Sequence, residues 1–109
     1  EALRDGDWQR AADNFQAALR AEPDNPDFHN GLGYAYRKLD KLDLAFAHFR
    51  RALRLDPTHR SAHENLGEAY LAVGDKAKAR EQLARLADLC PGRSCQEYVD
   101  LEGAIAAAK

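Results

Sequence analysis

The feature that most constrains this chain is a repeat. When the sequence is slid against itself by 34 residues, His29 meets His63, Leu32 meets Leu66, Gly33 meets Gly67, Ala35 meets Ala69 and Tyr36 meets Tyr70. The same lag joins Ala45 to Ala79, Leu55 to Leu89 and Pro57 to Pro91, and upstream it joins Ala11 to Ala45, Phe15 to Phe49, Ala18 to Ala52, Leu19 to Leu53 and Pro23 to Pro57. The matches are mainly apolar, small or turn-forming residues, the types a repeated packing unit needs.

Each unit reads as two helices. Phe28, Leu32, Ala35, Tyr36 and Leu39 recur at helical spacing between Asp27 and Leu39. Asp40 and Lys41 make a tight polar turn, and Leu42, Ala45, Phe46, Phe49, Ala52 and Leu53 form a second apolar stripe up to Leu55. Asp56-Pro57 stops it, because proline has no backbone N–H to donate. The next unit predicts helices over 61–73 and 76–90, around a Gly74-Asp75 turn and before Pro91. One such pair cannot bury its apolar side alone, so pairs stack. Gly33 and Gly67, with Ala45 and Ala79, are expected to let backbones approach, and Tyr36 and Tyr70 to fill the space between neighbouring pairs.

At these residues the pattern resembles the tetratricopeptide repeat family, whose marks fall on Leu32-Gly33, Tyr36, Ala45, Phe49, Ala52 and Pro57, then on Leu66-Gly67, Tyr70, Ala79 and Pro91. Leu83 and Leu86 depart from the expected aromatic and small residue, and His29 and His63 stand where an aromatic is often seen. The resemblance implies an all-α fold, a right-handed α-solenoid of antiparallel helix pairs. The repeats would run over 1–25 (truncated), 26–59 and 60–93, with a capping helix over 94–109. Tyr98, Leu101, Ala104, Ile105 and Ala108 give that cap its inner stripe, and its other side is expected to be polar. Counting back from Pro26 leaves a complete helix over 8–21 and only Glu1 to Arg4 of the helix before it, so an upstream continuation is expected.

Composition excludes several classes. Of the 109 residues, 45% are hydrophobic and 31% charged, enough for a core and too apolar for a disordered chain. The net charge is -2 and the signs are interspersed, without the basic face nucleic acid requires. No apolar run is long enough to cross a bilayer. Ser61 and Ser94 are not in a nucleophile elbow, and the glycines form no phosphate loop, so no catalytic site and no cofactor are expected. His59 and His63 have the spacing of a helical metal pair, but His59 falls in the inter-repeat turn and His63 repeats His29. Packing or capping is therefore the expected role, and no metal site is predicted. His48 is read as a solvated helix-face residue.

Cys90 and Cys95 flank Pro-Gly-Arg-Ser. A disulfide here would pin the cap to the last repeat and imply an oxidising compartment; the alternative is two reduced thiols that merely pack. The segment from Leu89 to Leu101 also resembles the tail of small bacterial periplasmic repeat proteins. A periplasmic or otherwise exported location is expected on that ground, with the cytoplasm as the alternative.

The resemblance further implies that first helices line a concave groove for a partner peptide or helix. Carried over, that groove comprises Asp27, Asn30, Gly31, Tyr34, Arg37 and Lys38, then Ser61, Glu64, Asn65, Glu68, Leu71 and Ala72. Chaperone-binding members hold a C-terminal carboxylate with Lys, Asn and Arg. Here Asn65 matches, but Asn30 and Ser61 stand where lysines are needed and Tyr34 where an asparagine is, so no chaperone-tail binding is expected. The function implied is a protein-interaction adaptor. The alternative is a self-assembling repeat protein, in which a sibling chain covers an open helix face near Trp8, Phe15 and Leu19.

Overall fold

The computed structural model describes residues 5–109, with side chains from Gly6 onward. The expected helical remnant Glu1 to Arg4 lies outside the described residues. Six α-helices and a short 3-10 turn are present, with no strand among the described residues. They are α1 (Asp5–Ala21), α2 (Pro26–Lys38), α3 (Leu42–Leu55), α4 (Arg60–Ala72), α5 (Lys76–Leu89) and α6 (Gln96–Ala107), with the 3-10 turn at Pro91–Arg93. Helix α1 begins three residues before the expected Trp8. The others start and stop within two residues of the predicted bounds.

The residues form two compact units, Glu1–Pro57 and Thr58–Lys109. In the first, α2 packs on both α1 and α3. Asn25 caps α2, its side chain accepting the N–H of Phe28 at 3.1 Å, with Pro26 in the first turn. The helix ends in a Schellman motif: Lys41 N–H reaches the Tyr36 carbonyl at 2.8 Å, and Asp40 N–H the Arg37 carbonyl at 3.0 Å. Asp40 sits at φ 61°, the left-handed conformation that motif requires. Ala12, Leu32, Ala35, Ala45, Phe49 and Ala52 are fully buried. Gly33 is needed for close approach, since a Cβ there would lie 2.6 Å from the Phe49 ring and 3.2 Å from the Ala45 carbonyl oxygen.

In the second unit, α4, α5 and α6 pack pairwise on one another. His59 caps α4 by accepting the Ala62 N–H at Nδ1, 3.1 Å away, and Asp75 caps α5 on Lys78. The α4–α5 turn repeats the α2–α3 motif, with Gly74 at φ 82° in the place of Asp40. The core joins Ala79, Leu86 and Cys90 of the α5 side to Tyr98, Leu101 and Ile105 of α6. Gly67 makes room for the cap: its nearest neighbour is the Leu101 side chain, 2.7 Å from an ideal Cβ. Cys90 and Cys95 are joined in a disulfide, with Cα atoms 5.7 Å apart.

Two expectations are corrected. His48 is half-buried: its ring stacks on His29 with centroids 5.3 Å apart, and the Tyr36 ring lies 5.6 Å away. On α1, Trp8, Phe15 and Leu19 are all half-buried. Trp8 packs edge-on against Tyr34 at 5.4 Å, and Phe15 packs on Phe28 and against Gly31. The second correction concerns the cap, whose outer side is not wholly polar, because Val99 is 49% exposed.

Candidate protein-binding faces

Helix α2 places Asp27, Asn30, Tyr34, Arg37 and Lys38 along one side, because residues three and four apart share a helix face. Asp27 and Lys38 are exposed, and Asn30, Tyr34 and Arg37 are half-buried. Gly31 belongs to the packing rather than to the face, since the Phe15 ring crowds it. Tyr34 is the centre. Trp8 of α1 meets its ring in a T-shaped contact, the Lys38 ammonium stands 5.3 Å from its centroid, and the Arg37 guanidinium 6.0 Å. An aromatic body held at one edge and flanked by two cations suits a partner carrying apolar and anionic groups.

Beneath this face, a polar chain ties the three helices of the unit together. Gln16 Nε2 donates to the Tyr36 hydroxyl at 2.5 Å. His29 Nε2 lies 2.8 Å from the Pro23 carbonyl, and that oxygen can only accept, so Nε2 carries a proton. His29 Nδ1 meets His48 Nδ1 at 3.1 Å. One of those two nitrogens must donate and the other accept, so both imidazoles cannot be charged without placing two N–H groups head to head. Burial, and then the His29 charge, hold the His48 imidazole below its usual 6.5.

Helix α4 presents a different surface. Ser61, Glu64 and Glu68 are half-buried along one side, with Ala72 exposed at its end. Two expected face residues are less open than their neighbours. Asn65 is only 8% exposed, and Leu71 packs against the apolar core of the unit. The lag itself carried a signal for Asn65, since it falls in the slot of Gly31. Glu64 and Glu68 share a hydrogen bond, with Glu97 and Asp100 of α6 nearby. Burial first, then that bond and those like charges, raise the Glu64 carboxyl to about 8. The four carboxylates are not arranged as a metal site among the described residues. Glu68, with Glu97 and Asp100, makes this surface acidic, where the α2 face is cationic; Glu64 keeps its proton at neutral pH. His63, the counterpart of His29, donates from Nδ1 to Gln82 Oε1 at 2.8 Å. His59 serves as a cap, accepting the Ala62 N–H.

Tetratricopeptide repeat profiles match residues 1–60 and 38–105. The chain belongs to the tetratricopeptide repeat family. No curated protein sequence matches it significantly. Among solved structures, it is similar to the second TPR domain of human RPAP3 in complex with the HSP70 peptide SGPTIEEVD, with 22% identity, a TM-score of 0.79, and coverage of 93% of this chain and 82% of that one. It is likewise similar to the TPR2B domain of yeast Sti1 in a complex with pHsp70, with 24% identity, a TM-score of 0.79, and coverage of 93% and 84%. At those identities the likeness establishes the all-α helical-repeat fold. At 31% identity and a TM-score of 0.73, 81% of this chain also matches part of an O-GlcNAc transferase from Thermobaculum terrenum, covering 17% of that chain. Repeats of this family are typically interaction modules, and they also occur inside enzymes.

Proposed function

We propose that this chain is a protein-interaction adaptor that holds partner segments against the first helices of its repeats, α2 in one unit and α4 in the other. The observation that carries the reading is Tyr34, half-buried, propped edge-on by Trp8 and flanked by the cations of Arg37 and Lys38. Related repeats support it, since the human RPAP3 and yeast Sti1 domains were solved with segments of other proteins. The α2 face suits a segment with carboxylates and an apolar side chain; the α4 face, with Glu68 beside a protonated Glu64, suits a basic one. An acidic chaperone tail is a poor fit, because Asn30 and Ser61 replace the needed lysines and Asn65, the matching residue, is buried. Calorimetry with the peptide SGPTIEEVD should therefore detect no binding, and measurable affinity would overturn this part of the reading.

The test of the face is capture of partners from the source cell by the chain and by a Tyr34→Ala, Lys38→Glu double variant, with helicity checked by circular dichroism. The variant should stay folded and lose the captured species; unchanged capture would refute the assignment. We further infer a binding rather than a catalytic role, in an oxidising compartment such as a bacterial periplasm. The Cys90–Cys95 pairing supports that location. Native protein prepared without reductant should show no titratable thiol, and two would count against it.

A further inference from the structure

We propose that the second unit carries another docking surface, on α5 and α6, for an amphipathic helix of a partner protein whose apolar stripe is flanked by carboxylates. A surface groove of about 410 Å³ runs between these helices and is lined by no residue of α4. Its α5 wall is Leu83, Ala84 and Ala87, and its α6 wall is Tyr98, Ile105 and Ala106. With Arg80 on α5 and Glu102 on α6, these positions recur at three-, four- and seven-residue steps, forming the ridges into which a third helix packs. Alanines at 84, 87 and 106 keep the groove open to close approach, while Tyr98 and Ile105, 6% and 7% exposed, form its floor. Ala84 and Ala106 lie exposed.

Shape and charge choose the occupant. An extended strand laid here would find side-chain walls in place of backbone partners, leaving its own N–H and C=O groups unpaired, whereas a helix satisfies them internally. The rim holds two guanidiniums, Arg80 and Arg93, against one carboxylate, Glu102. Glu102 already accepts from the Tyr98 hydroxyl at 3.4 Å, and the Arg93 guanidinium stands 5.9 Å over the Tyr98 ring. The rim is therefore cationic in balance and complements acidic residues at the edges of an apolar stripe. A second copy of the same groove would add two more guanidiniums to the seam, which disfavours self-pairing. The surface does not depend on the α2 and α4 faces.

The probe is a stapled helical peptide with a Leu/Ala stripe flanked by glutamates, compared with the same peptide carrying lysines. Both are titrated into the full chain while amide resonances are followed. The glutamate peptide should shift Ala84, Ala87 and Ala106 and bind about tenfold more tightly than the lysine peptide. Arg80→Glu with Arg93→Glu should reverse that preference, Ala84→Arg should abolish binding without loss of helicity, and Tyr34→Ala should leave it unchanged. The proposal is overturned if neither peptide binds, if both bind equally, or if Ala84→Arg binds like the parent. It is equally overturned if sedimentation shows a dimer that Ala84→Arg converts to monomer, because the occupant is then a second copy.

Discussion

Residues 34 apart occupy the same places in two repeats, yet they do different work. Phe49 is fully buried and packs on Gly33; its counterpart Leu83 is half-buried. His48 faces another imidazole, whereas Gln82 faces His63 with an amide. Asn30 and Tyr34, beside Arg37 and Lys38, give α2 an aromatic and cationic face; a protonated Glu64 and Glu68 fill the same slots on α4, which Glu68 makes acidic. The first unit is held by aromatic packing. The second is held by aliphatics around Tyr98 and by a disulfide. A repeated backbone thus fixes where side chains stand and leaves their chemistry free, so recognition can diverge while the fold is kept.

The largest expected effect breaks the packing equivalence directly. Phe49→Ala should cost about 3–5 kcal/mol, as for a buried aromatic, and Leu83→Ala about 1–2 kcal/mol because that site is already partly solvated. Urea unfolding followed by the fluorescence of Trp8, the only tryptophan, and by circular dichroism measures both; equal losses would mean the repeats are energetically alike. Next in size, reducing Cys90–Cys95 should cost the second unit about 2 kcal/mol by loop entropy. Circular dichroism melts with and without reductant would show it, with the Trp8 signal little changed.

The pH responses should run in opposite directions and be smaller. The Glu64 carboxyl, raised from 4.5 to about 8 in the fold, binds a proton that the unfolded chain has released. Stability of the second unit therefore falls as pH rises from about 4.5 to about 8. Glu64→Gln should flatten that decline, by a modest amount because the site is half-solvated. His48 is held below 6.5, so the unfolded chain takes up the proton first and the first unit weakens as pH drops through about 6.5. Thermal unfolding read by Trp8 fluorescence at pH 7.5 and pH 5.5 should show this loss in the parent and little of it in His48→Gln, which copies Gln82.

Much of the architecture was legible in the sequence because it is written in punctuation and period. Prolines at 26, 57 and 91 bound the helices, and the apolar stripes name their buried sides. The cap and the disulfide follow from the tail. The site was less legible, because a groove carried over by register assumes that equivalent slots are equally open. Asn65 shows the difference: its slot is held in the first unit by Gly31, which has no side chain, while the Asn65 side chain is only 8% exposed. Leu71 stands where Arg37 stands and is equally half-buried, but it leans on an apolar core that periodicity alone does not place beside it. His48 lies beside Phe49 on α3, and its engagement depends on a partner, His29, that periodicity cannot reveal.

The last helix is fastened twice. Cys95 holds its first turn, and Lys76 donates to the Ala108 carbonyl at 2.9 Å just beyond its last. A free helix of twelve residues is marginal in water and frays inward from its ends. With both ends moored, α6 behaves as a strut: the amides hydrogen-bonded near its ends, Val99 and Ala108, should exchange with solvent nearly as slowly as those between them, and a protease reaching the tail should find little loosened backbone to grip.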